Sequence, residues 1–250
     1  QSALLAHQRK LDQANALASS IDDGIRQRAR AVGLQVEDMR VVSIPERPPV
    51  GDLFENPSRS TLTPQQRQFV DDVGSLLDNM NQVEKQAGIP KNEIFSDEGR
   101  YFPRRVVEVR GTENLAAAVK RLTGAKQGFQ KERFYELMEE GIANGVRYQD
   151  DIAALVSTRI RAGLKAVADR ELVEIARPFG HTITGGTPRV VGEMGTMVPG
   201  LGGSVFPQET AKRLIDALGT HYPGTIERGI SNVNNVLRPL NAIGDLGFWT

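Results

Sequence analysis

The chain has 250 residues, with 31 Lys or Arg against 31 Asp or Glu, so it carries no net charge and lacks the overall basic balance of a nucleic-acid binder. It has no cysteine, which excludes disulfides, thiolate metal sites and a cysteine nucleophile. A hydrophobic content of 39% with only 6% aromatics predicts thin cores between packed helices, and no run of 18 apolar residues suggests a membrane span.

The first element predicted is a long helix within residues 1–35. Leu4, Leu11, Ala18, Ile25 and Val32 are seven apart, and Ala14 and Ile21 fill the second row of a heptad that His7 and Arg28 interrupt. The stripe is narrow for a core helix. Leu4, Leu11, Ala14, Ala18, Ile21 and Ile25 are therefore the candidate assembly seam, expected to need a partner helix. Residues 36–62 hold Pro45, Pro48, Pro49 and Pro57, and read as an extended Pro-rich linker lying over a surface.

Residues 63–179 are expected to form a helical core. Thr63, Pro64 and Gln66 spell an N-cap, a first-turn proline and a capping box. The helix they open buries Phe69, Val70, Val73, Leu76, Leu77, Met80 and Val83, and stops at Gly88. Val106, Val107 and Val109 suggest a short strand, followed by helices at about 112–123 and 129–143. The central element runs from Asp150 to Arg177, about 42 Å long as a helix, and Pro178 ends it. Ile152, Val156, Ile160, Leu164, Val167, Leu172 and Ile175 form its apolar face. Arg159, Arg161, Lys165, Asp169, Arg170, Glu171 and Glu174 are expected in water or against charged partners.

Residues 180–206 form a Gly-rich loop, with eight glycines between 180 and 203. Its Val190, Val191, Met194, Met197, Val198 and Leu201 are expected to be buried by a neighbouring subunit or by another part of the full chain. Residues 207–250 read as a C-terminal helical hairpin, with Ile226, Ile230, Val233, Leu237 and Leu240 on the face of its second helix. A start inside a helical pattern and an apolar Phe248-Trp249 end suggest a piece of a longer polypeptide.

The inventory for chemistry is thin. The Gly-rich loop has neither a GxxxxGK[ST] nor a GxGxxG fingerprint, and His7, His181 and His221 are too scattered for a metal site. No catalytic residue, metal or cofactor is expected, so the chain reads as no enzyme; Glu171, Glu174 and His181 are the set whose convergence would overturn that reading. Residues 100–131 carry a local charge of +6 and residues 71–98 one of −5. Arg100, Tyr101, Arg104, Arg105 and Arg110 are the candidate nucleic-acid contacts, with Phe102 beside Tyr101 on the same face. The competing reading pairs the acidic and basic stretches with each other or with neighbouring subunits.

Four stretches carry a resemblance: residues 62–70 (LTPQQRQFV), Tyr101-Phe102-Pro103-Arg104, residues 203–209 (GSVFPQE) and residues 232–247 (NVNNVLRPLNAIGDLG). Their order and spacing over residues 62–250 resemble the large multidomain virion proteins of tailed bacteriophages, including polyvalent and DNA-ejection-type chains. The resemblance implies a structural part of a virion, in the capsid interior, portal or tail, whose partners are copies of itself and other virion proteins. Together with the periodicities it gives the expected fold class: all-α, an elongated helical assembly with long helices, a Pro-rich linker and a Gly-rich loop.

Overall fold

The computed structural model describes residues 2–34, 53–54, 61–89, 102–109, 138–149, 151–182, 196–198, 201 and 204–218. These residues are predominantly helical. α1 spans Ser2–Ala31, α2 Pro64–Gln86, α3 Met138–Ala143, α4 Ile152–Ala176 and α5 Gln208–Leu218. Five short strands accompany them: β1 (Val106–Val109), β2 (Val146–Tyr148), β3 (His181–Thr182), β4 (Thr196–Met197) and β5 (Ser204–Phe206). The strict all-α expectation is thus corrected to a helical fold with two small antiparallel sheets, β1-β2 and β3-β5-β4. The expected helix at 112–123, the first part of that at 129–143, most of the Pro-rich linker and the second helix of the C-terminal hairpin lie outside the described residues.

The helix ends are set locally. The Thr63 hydroxyl accepts from the Gln66 amide at 3.2 Å, and the Gln66 side-chain carbonyl accepts from the Thr63 amide at 3.0 Å, a complete capping box. At the other end, Gly88 takes φ 67°, its amide donates to the Lys85 carbonyl, and Ile89 donates to that of Glu84. α1 closes in the same way, with Gly33 at φ 72°, its amide on Arg30 and that of Leu34 on Ala29. Both are Schellman turns, and both need a residue at ease with positive φ. Asp151 caps α4 by accepting from the Ala154 amide at 3.1 Å. Pro178 falls in a 3-10 turn, Arg177–Phe179, that follows α4 directly.

The residues group into two compact units, one of Gln1–Asn15, Val83–Pro90 and Ala162–Pro239, the other of Ala16–Gln82, Lys91–Arg161 and Leu240–Thr250. In the second, Ile21, Ile25 and Ala29 of α1, the apolar face of α2, and Ile152, Val156 and Ile160 of α4 are all buried. Phe54 stacks on Phe102 at 5.1 Å and meets Phe69 edge-on at 6.1 Å. Part-buried polar ties lie alongside: Arg26 Nε donates to Asp22 at 2.6 Å and its Nη2 to Asp151 at 3.0 Å, while Arg28 reaches Asp72 at 2.6 Å. Burial pulls the Arg26 guanidinium down, but hydrogen bonds and charge from Asp22 and Asp151 outweigh it and raise its pKa above the ordinary value.

In the first unit, Leu172, Val173 and Ala176 of α4, Val198, Leu201, Phe206, and Ala211, Leu214 and Leu218 of α5 form one apolar cluster. Of the two covers expected for the Gly-rich loop, Val198 and Leu201 have the intramolecular one, α4 and α5, beside strands pairing His181 with Val205 and Met197 with Val205. Val190, Val191 and Met194 lie outside the described residues.

α4 departs from its predicted amphipathic character. Its apolar face is buried as expected, except that Ile175 is 43% exposed. Among the residues expected in water or against charged partners, Arg159, Asp169 and Arg170 are buried, Asp169 against His7 and Lys165 and Arg170 against Glu174, so much of the helix's circumference is enclosed.

Candidate functional site

The heptad stripe of α1 is covered within the chain. Ala14, Ala18, Ile21 and Ile25 are buried, and Leu4 and Leu11 are half-buried. The rows keep their period through the polar interruptions because each finds an acid. His7 is buried with Nε2 at 2.8 Å from Asp169 Oδ1, and Arg28 meets Asp72. From Ala14 to Ile25 the stripe is thus covered intramolecularly, while Leu4 and Leu11 stay partly open. One turn beyond His7, Lys10 pairs with Glu171. On the α4 side, Asp169 is also held by Lys165, which lies 3.5 Å from the Leu218 carbonyl.

A groove of about 560 Å³ opens in the same unit. Leu172, Ala176, Phe206 and Leu214 line it from the cluster, and Ala3 and Leu4 from α1. Ile175 and Phe179 form its lip, and Phe179 is 75% exposed. Glu209 and Arg213 supply charge at its edge, where they pair with each other at 3.1 Å. The size suits a small ligand, but the lining offers few polar groups to orient one. An aromatic ring standing largely in water beside an apolar trough is a feature of protein-contact surfaces.

Glu171, Glu174 and His181 do not gather at one point. Glu171 turns to Lys10, Glu174 to Arg170 and Arg177, and His181 is exposed on β3. Arg170 is fully buried; Glu174 Oε1 lies 3.1 Å from its Nη2, yet the guanidinium nitrogens make no hydrogen bond of good geometry. Among the described residues no three His, Asp or Glu side chains gather as metal ligands.

Of the nucleic-acid candidates, Arg104 and Arg105 are among the described residues. Phe102 is buried against Phe54, which corrects its placement on a base-stacking face. Arg104 lies over the Tyr148 ring at 6.0 Å. Arg105 is exposed, 3.4 Å from Gln149 Oε1. Arg100, Tyr101 and Arg110 lie outside the described residues.

The groove lip escaped sequence reasoning because Phe179, directly after Pro178, reads only as part of a turn. No protein-family model matches the chain, and no curated protein or solved structure is significantly similar to it. No described helix is long and apolar enough to cross a membrane.

Proposed function

We propose that this chain is a structural segment of a tailed-phage virion that works by protein–protein assembly with copies of itself and other virion proteins, in the capsid interior, portal or tail, as part of an elongated helical assembly and without catalysis of its own. The resemblance over residues 62–250 supplies the virion setting. The observation that carries the assembly reading is the groove, whose lip presents Phe179 at 75% exposure. An exposed ring contributes little to folding, so its removal tests association alone. Phe179→Asp is expected to leave the melting temperature within about 2 °C of the parent, since surface changes stay within about 0.5 kcal/mol. It should also abolish self-association or capture by purified virion proteins, read by light scattering after size exclusion. Association at parental strength by a folded Phe179→Asp protein overturns the groove as the contact surface.

A second reading, contact with nucleic acid through residues 100–131, is favoured by the exposure of Arg105. It requires DNA affinity that falls steeply with salt, because each neutralised phosphate releases counterions. A flat salt response, or no binding at low salt, rejects it.

A further inference from the structure

We infer that residues 2–15, the first half of α1, form a releasable strap fastened to α4 by polar pairs, able to open while residues 16–31 stay seated. The two halves of this one helix differ in how much apolar surface anchors them, since polar ties from Arg26 and Arg28 hold the second half too. In residues 16–31, Ala18, Ile21, Gly24, Ile25 and Ala29 are buried. In residues 2–15 only His7 and Ala14 are, and Leu5 is 62% exposed. What fastens the first half is His7 to Asp169 at 2.8 Å and, on the next turn, Lys10 to Glu171.

The seat is arranged for release. A buried carboxylate stranded without a partner is strongly unfavourable. Asp169 avoids this, because Lys165 on its own helix holds its second oxygen whether or not His7 is present. Lys165 is 44% exposed at its side chain, so it draws on solvent as well. Glu171 and Lys10 are both partly in water, and their separation strands neither charge. Opening removes Ala3 and Leu4 from the apolar cluster, to which they are only partly buried neighbours. It bares one wall of the groove floored by Leu172 and Leu214, so the strap controls how much apolar surface the unit shows.

Hydrogen exchange of the intact chain, followed residue by residue, tests this. Amides of residues 6–15 are read against those of 18–29, leaving out the first turn because helix ends fray. The strap requires exchange at least about tenfold faster in the first set. Asp169→Asn should speed the first set by roughly another tenfold and leave the second unchanged. The double variant His7→Leu with Asp169→Ala should act in the opposite sense, slowing the first set, because an apolar pair of similar total volume packs where a polar pair stood. Lys10→Ala, at the outer pair and safe for folding, should speed the first set about twofold. Equal protection along the helix overturns the strap, as does an Asp169→Asn or Lys10→Ala effect that spreads equally over both halves.

Discussion

Glu174→Ala is expected to lower the stability of the first unit by about 3 kcal/mol, although Glu174 lies on a helix face that reads as ordinary charged surface. The reason is its neighbour one turn back. Arg170 has 0% of its surface exposed, and Glu174 Oε1 at 3.1 Å is the carboxylate that compensates its charge. Breaking a buried pair by deleting one member costs about 3–5 kcal/mol, because the other charge remains without water or partner. Glu174 keeps about a quarter of its side chain in solvent and is shared with Arg177, which puts the expected cost at the lower end. For a chain of this size that is a fall of roughly 6–12 °C in melting temperature. Arg170→Met has the opposite logic: it removes the desolvated charge itself and leaves a flexible apolar side chain in its place. Its melting temperature should match the parent or exceed it. A Glu174→Ala protein melting within about 2 °C of the parent shows that Arg170 does not depend on this carboxylate. An Arg170→Met protein as unstable as Glu174→Ala shows that the guanidinium contributes more than a charge needing compensation.

That pair also shows where sequence reasoning stops. Arg170 and Glu174 stand four apart, the spacing of a solvated pair on a helix surface. Nothing within one turn of chain says that the face is covered. What was legible depends on short-range rules: Thr63, Pro64 and Gln66 start α2, Gly88 ends it, and Pro178 stops α4, each through contacts within a few residues. The period of α1 was legible too, but a period states that a stripe is buried and not what buries it. His7 looked like an interruption because its partner, Asp169, is 162 residues away in sequence. The strands of the Gly-rich loop are two or three residues long, too short for alternation to register. Val198 and Leu201 were correctly marked as needing burial, yet the α4 and α5 residues that receive them are set by tertiary packing alone.

Ile25→Asp and Leu11→Asp lie on the same heptad row, and the structure separates their consequences. Were the row a seam between molecules, both proteins would stay folded and both would lose assembly. Instead Ile25 is 0% exposed within one chain, flanked by buried Ile21 and Ala29, while Leu11 is half-buried. Removing a buried isoleucine costs about 2–5 kcal/mol by itself. Placing a carboxylate in the same space adds several more, since the neighbouring guanidinium of Arg26 is already committed to Asp22 and Asp151. The sum reaches the order of the entire stability of a folded domain, about 5–15 kcal/mol. Ile25→Asp should therefore lose the cooperative melt of the second unit, with helical circular dichroism falling at 25 °C. Leu11→Asp should keep a melt within about 1–2 kcal/mol of the parent, because water still reaches position 11. Its effect should instead appear as faster exchange in residues 6–15. Folded, monomeric proteins from both variants would return the row to the surface and restore the intermolecular seam; loss of folding in Ile25→Asp alone places the row in the core.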